Sequence, residues 1–311
     1  MGKRILITGG AGCLGSNLVE HYSAQGHAIC VMDNFATSSR QLIPQFSPHP
    51  VVEGTIADGE LVNRTFDQFA PTHVIHSAAA YKDPNDWHED IATNVVGTLH
   101  VARAARRHGV SRLVHFQTAL CYGRATRLPI PVDHPVAPFT SYGISKVAGE
   151  AYLMQSGLSA VSLRLANICG PRLSIGPIPT FYRRLKEGKS CFCSKTVRDF
   201  LDMSDFLSLM DLVLEVNAPC GIFNVSTGEG HGIRDVFEAV ASHLGLVPAP
   251  PLEVEPGPDD VRETVLDPSR TSDAFGWRPR VSFAQTMARQ LQWYDSNGVA
   301  AVYSHLSAPK A

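Results

Sequence analysis

The sequence predicts an α/β protein, a doubly wound parallel sheet followed by a smaller C-terminal lobe. Three observations carry this. Short β-rich runs alternate with helical segments over about the first 165 residues. A glycine-rich turn, Gly9-Gly10-Ala11-Gly12-Cys13-Leu14-Gly15, joins the first run to the first helix. Near residue 170 the alternation breaks at Gly170-Pro171-Arg172 and Gly176-Pro177-Ile178-Pro179.

The elements follow in order. Residues 5–8, 28–32, 73–76, 113–117 and 160–165 read as strands, and residues 14–25, 58–69, 86–108 and 141–155 as helices. Right-handed crossovers turn this rhythm into a parallel sheet covered on both faces. Helical runs return near 203–216, 234–244 and 283–297, separated by Pro248-Ala249-Pro250-Pro251 and Pro256-Gly257-Pro258. Residues 1–168 are expected to form the sheet domain. Residues 169–311 mainly form the lobe, with segments returning to the sheet.

Composition narrows the class. The 311 residues are 44% hydrophobic and 18% charged, which suits a packed core. A net charge of -2 without a basic stripe excludes nucleic acid as a main partner. Met-Gly-Lys-Arg runs straight into Ile5-Leu6-Ile7, leaving no room for a signal peptide. No apolar run approaches the ~20 residues that cross a bilayer. A cytoplasmic protein with no membrane contact is expected. Seven cysteines, an odd number, then read as reduced thiols, and their spacing suggests no metal site.

Gly9, Gly12 and Gly15 permit a tight turn, with backbone N–H groups of Cys13 and Leu14 at the helix start facing a pyrophosphate. A strand before the turn and a helix after it are the context that a Rossmann-type dinucleotide site needs. Asp33 ends the second strand, ahead of Asn34. A carboxylate there accepts ribose hydroxyls and repels a 2′-phosphate, which favours NAD over NADP. Small residues in Ser77-Ala78-Ala79-Ala80 let the backbone approach the cofactor. In Tyr142-Gly143-Ile144-Ser145-Lys146, the tyrosine and lysine share one helix face. The lysine charge can lower the phenol pKa, so that Tyr142 takes a proton from a hydroxyl while hydride leaves for a nicotinamide.

Together, in this order and about 130 residues apart, these motifs resemble the extended short-chain dehydrogenase/reductase (SDR) family. The resemblance implies more. Thr118, in Phe116-Gln117-Thr118-Ala119-Leu120-Cys121-Tyr122-Gly123, becomes the catalytic hydroxyl, and Tyr122 a structural residue. Ile56 would flank the adenine. Thr55 stands where the family often has an aspartate, and Asp58 reads as a helix cap. Asn94 matches a helix-kinking asparagine of the cofactor site. Nucleotide-sugar 4,6-dehydratases place Asp then Glu after the hydroxyl residue; Ala119 and Leu120 carry no proton, which resembles 4-epimerases.

The same resemblance marks the substrate end. Asn167, in Arg164-Leu165-Ala166-Asn167-Ile168-Cys169-Gly170-Pro171-Arg172, would lie near the diphosphate. Arg198 would clamp the diphosphate or ribose, its alternative being a salt bridge to Asp199 or Asp205. Asp260 would touch the ribose. Gly257 replaces a common arginine, and Arg262 is the candidate substitute. Tyr81 and Lys82 would meet the hexose; Lys82 could pair with a uronate or be a solvated loop lysine. Cys121 and Cys169 read as packing residues. The chain looks closest to sugar epimerases of bacterial O-antigen gene clusters.

The expectation is an NAD-dependent 4-epimerase of a UDP-hexose or UDP-uronate. It would be a homodimer joined through the 86–108 and 141–155 helices, the first with an apolar stripe of Ile91, Val95, Leu99 and Ala102. A reductase, a carbon-3/carbon-5 epimerase and a non-catalytic nucleotide sensor are the alternatives.

Overall fold

The computed structural model describes residues 2–81, 83–257 and 260–300. Seven parallel strands form the main sheet in the order β3-β2-β1-β4-β5-β6-β11. They are β1 (Arg4–Thr8), β2 (Ala28–Asp33), β3 (Val51–Glu53), β4 (His73–His76), β5 (Arg112–Thr118), β6 (Ala160–Leu165) and β11 (Gly221–Val225). The lobe carries short strands: β7 (Asn167–Cys169), β8 (Phe192–Ser194), β9 (Val197–Arg198), β10 (Phe200–Asp202), β12 (His231–Gly232), β13 (Leu252–Val254) and β14 (Glu263–Thr264). The helices are α1 (Cys13–Ala24), α2 (Gly59–Phe69), α3 (Trp87–Asp90), α4 (Thr98–Arg107), α5 (Ser141–Met154), α6 (Pro177–Lys186), α7 (Met203–Val213), α8 (Ile233–His243), α9 (Ser269–Phe275) and α10 (Phe283–Asn297).

The fold is the Rossmann-type doubly wound sheet that the sequence predicts. Both faces of the sheet are buried, so the strands read as nearly continuous apolar runs. Ile5 and Ile7 face one core with Phe206, Leu209 and Val213 of α7. Leu6, between them, faces the other core with Val62 and Phe66 of α2 and Val101 of α4. Two features escape the sequence pattern. Strand β3, Val51-Val52-Glu53, is too short to show a period. The helix expected over 86–108 is interrupted by a π-helical stretch, Ile91–Gly97, between α3 and α4.

Local chemistry sets the helix ends. Asp58 caps α2 by accepting the Glu60 and Leu61 N–H groups. Thr140 caps α5 through the Gly143 N–H at 3.1 Å. The lobe closes over its own core, where Phe181 of α6, Phe237 of α8 and Leu291 of α10 meet. After six strands the chain leaves the sheet, builds β7 to β10 and α7, and returns as β11 beside β6. Trp277 packs against α7, donating to the Asp205 carbonyl. All seven cysteines are free thiols. Among the described residues no helix is long and apolar enough to cross a membrane.

Candidate active site

The glycine turn leaves β1 with no room for side chains. Gly9 has φ +67°, and a Cβ on it would lie 2.7 Å from the Ala78 nitrogen. A Cβ on Gly15 would lie 2.2 Å from the Gly9 carbonyl oxygen. Gly12 precedes α1 without a capping side chain, so the first-turn N–H groups are offered to a ligand. A backbone cradle of this kind fits a pyrophosphate. The Cys13 and Leu14 side chains turn away from it. Leu14 packs on the core. Cys13 donates to the Pro171 carbonyl, and burial pushes its thiol up to about 12. Only their backbone is placed to serve a phosphate.

Asp33 fastens this turn. Its Oδ2 accepts the Ala11 N–H at 2.9 Å, while Oδ1 accepts the Phe35 N–H and the Ser38 hydroxyl. A carboxylate has about four lone-pair sites, so capacity remains for a ribose hydroxyl. Asn34 is exposed and accepts the Ala36 N–H. Ile56 is buried, and its side chain fills the space beside Gly97 in the π stretch. Asn94 spends its amide on the protein: Nδ2 donates to the Ala80 carbonyl and to Ser145 Oγ, and Oδ1 accepts the Ala80 N–H. It therefore fixes the Ala78-Ala79-Ala80 loop to the catalytic helix, and acts on the cofactor side through that loop.

Thr118 ends β5 and accepts the Leu120 N–H. Gln117 joins this strand end to α5, donating to the Lys146 carbonyl at 2.9 Å and accepting the Thr118 N–H. Tyr142 is half-buried, with the Tyr81 ring edge-on at 6.2 Å. Its partnership with Lys146 differs from the expectation. Burial pushes the phenol up, and Tyr81 and Asp90 push it further the same way. Lys146, fully buried, sends its ammonium to the Phe116 carbonyl at 2.6 Å. Burial pulls the ammonium down to about 7, partly offset by Glu150. A shared helix face fixes where the stems begin; the long lysine stem decides where its charge ends.

The substrate end is arranged differently again. Arg198 makes its ion pair with Asp260, through Nη2 and Oδ1 at 2.5 Å. Neither Asp199 nor Asp205 takes it. Asp199 accepts N–H groups of Thr227 and Gly228, and Asp205 those of Arg280 and Val281. Asp199 lies just past the end of β9, and its buried carboxylate turns to the Thr227 and Gly228 N–H groups. Asn167 is exposed and donates to the Asp199 carbonyl. Arg262 is exposed and pairs with Glu255. Lys82 lies outside the described residues. Tyr122 is buried and donates to Asn224, and Cys121 and Cys169 are buried thiols with raised pKa values.

Four residues that the motifs did not mark complete the site. They are Gln117, the buried Asp90 near Tyr142, His115 beside Lys146, and Glu150. Glu150, one helical turn beyond Lys146, forms a buried pair with Arg164 at 2.7 Å. A histidine inside a predicted buried strand was the available signal for His115, since such strands are otherwise apolar.

A Rossmann sheet with its cradle at the first turn, and a Tyr-x-x-x-Lys helix beside the fifth strand, defines a dinucleotide-dependent enzyme of the extended SDR class. Residues 5–226 match the NAD dependent epimerase/dehydratase family. The chain belongs to that family, and NAD is its cofactor. The UDP-glucose 4-epimerase of Mycolicibacterium smegmatis is 30% identical over 94% of this chain and 98% of its own. The Bordetella bronchiseptica enzyme WbmG, crystallised with NAD and UDP, is 61% identical, with a TM-score of 0.93 over 99% of this chain and 98% of its own. WbmH of the same organism, in complex with NAD+, is 39% identical, with a TM-score of 0.89 over 96% and 100%.

Proposed function

We propose that the protein epimerises carbon 4 of a UDP-hexose or UDP-uronate, in cell-surface polysaccharide (O-antigen) synthesis, as a cytoplasmic homodimer. One observation carries the reading: Thr118 and the Tyr142–Lys146 helix stand together with Ala119 and Leu120, which carry no proton. Such a site can return the proton it takes but has no acid to drive loss of water. The name of the M. smegmatis relative and the UDP in the WbmG complex support a UDP-linked substrate.

NAD, when bound, supplies the hydride sink and source. Gly9, Gly12 and Gly15 would hold its pyrophosphate and Asp33 its adenosine ribose. Tyr142 takes the proton of the carbon-4 hydroxyl while Thr118 hydrogen-bonds the same oxygen. Lys146, its ammonium anchored at the Phe116 carbonyl, would hold the nicotinamide ribose. Arg198 grips the diphosphate, which leaves the sugar free to turn between oxidation and reduction. For assembly, Trp87, Ile91, Ile144 and Tyr152 leave large apolar surfaces exposed on α3, the π stretch and α5. Of the stripe, which could face core or partner, Ala102 lies in the core, Val95 and Leu99 are half-buried and Ile91 is exposed.

The test is incubation with UDP-hexoses, UDP-N-acetylhexosamines and UDP-uronates, followed by separation of the products. Carbon-4 epimers of unchanged mass are expected from one class, and Tyr142→Phe should lower that rate by ~10²–10⁴. Products that have lost water, inversion at carbon 3 or 5, or full turnover by the Tyr142→Phe variant would overturn the reading.

A further inference from the structure

One row of polar side chains crosses the main sheet beneath α4 and α5. Strand register sets Thr8, His76, His115 and Ser162 side by side on β1, β4, β5 and β6. All four are buried. A polar row inside a parallel sheet needs a partner for each member. Thr98 donates to the Asn94 carbonyl, so its oxygen accepts from His76 Nε2 at 3.0 Å. His76 Nδ1 then accepts the Thr8 hydroxyl at 2.7 Å. Ser162 donates to Glu150 Oε1 at 2.5 Å. His115 is the exception. Its Nε2 lies 3.5 Å from Lys146 Nζ, and its Nδ1 is buried with no partner among the described residues.

The geometry fixes the chemistry of this pair. While Lys146 is charged its ammonium only donates, so the nitrogen facing it must then be the unprotonated one. The ring proton therefore sits on Nδ1, where it has no acceptor. Leaving a buried donor unpaired is unfavourable, and such a group calls for a role at the other end of the ring.

We propose that His115 is a positioning residue for Lys146, its Nε2 lone pair taking one ammonium N–H so that the group stays charged in the cofactor site. The Phe116 carbonyl takes a second N–H, which leaves the third free. The inference rests on the role given to Lys146 above. The titratable groups that act on the ammonium are His115 and His76 from the strands and Glu150 from its own helix. Glu150 is already engaged by Arg164 and Ser162. Burial holds both imidazoles neutral; His76 is already engaged by Thr8 and Thr98, so His115 is the one available as an acceptor.

The experiment follows the Lys146 titration by NMR in NAD-loaded protein carrying labelled lysine. The chain has seven lysines, and Lys146→Met identifies the signal. In His115→Leu the midpoint should fall by about one pH unit, because the charged form loses an acceptor. His115→Gln reaches the Nε2 position and should restore it; His115→Asn mimics Nδ1 and should not. Nitrogen-15 spectra of the unaltered protein should show His115 as the Nδ1–H tautomer, which needs no variant to fold. An unmoved midpoint in His115→Leu, equal rescue by Gln and Asn, or an Nε2–H tautomer would overturn the proposal. Turnover by Lys146→Met on the UDP-sugar panel would instead remove the role of Lys146, a failure read from products and separate from the titration.

Discussion

Around the glycine turn, the contacts that shape the site come from backbone and from side chains buried beneath a seven-stranded sheet. Around Arg198 they come from side chains that hold one another, beside the two-residue strands β9 and β14. The cofactor half is thus built by the core, and its shape exists before any ligand arrives. The half proposed for the nucleotide is built by an ion pair, which the proposed diphosphate contact would have to enter and re-partner. Rigid preorganisation suits a cofactor that stays through the reaction, and re-pairing suits a substrate that must come and go.

The sharpest way to break this contrast is at the glycines. Gly15→Ala pushes a methyl group into the Gly9 carbonyl and should destabilise the fold by more than about 3 kcal/mol in urea titration. Gly12→Ala meets only ordinary contact at 3.4 Å and should cost within about 1 kcal/mol. Equal effects would mean that the turn is not shaped from below.

The ion pair gives the next effect. Arg198→Met should weaken UDP binding ~10–100-fold in calorimetry, the loss of a charge-assisted contact. Asp260→Asn should weaken it less, because the carboxylate competes with phosphate for the guanidinium. If Asp260→Asn matches Arg198→Met, the two residues act as one rigid unit, and the contrast between the halves narrows.

The smallest effect is in pH. Burial holds His76 at about 3 and His73 at about 4, below the ordinary 6.5. Each contributes stability that is complete above pH 6.5 and is lost as pH falls toward those values. Asp199 in the lobe is raised to about 6, so its effect runs the other way and acid relieves it. The buried His73, His76 and His115 outweigh the raised Asp90 and Asp199, and together should lower Tm between pH 6.5 and 5 in calorimetric scans. A flat or rising Tm would show that the buried histidines do not govern acid stability.

What the sequence revealed follows the same division. Gly9, Gly15, Asp33 and the Asp58 cap act on neighbours within a few residues or on the next strand, so their spacing carries the information. The Arg198 partner could not be read that way. The adjacent Asp199 faces elsewhere, and the true partner stands 62 residues on. Lys146 was placed on the right helix face, but its hydrogen bond to Phe116 depends on how β5 packs beneath α5. Asn94 marked a helix irregularity, yet its hold on Ala80 is a property of the folded loop.

The late return of β11 has a consequence for synthesis. Until Gly221–Val225 has been made, β6 is a bare strand edge, and the face beneath Ile5 and Ile7 lacks the α7 residues that cover it. At about 5–20 residues per second, that exposure lasts for seconds on the ribosome. An uncovered parallel edge of apolar strands is a template for pairing with another chain. A fragment ending near residue 168 would keep that edge permanently. It should collect as aggregate where the full chain stays dispersed, a difference that sedimentation of the two translation products would reveal.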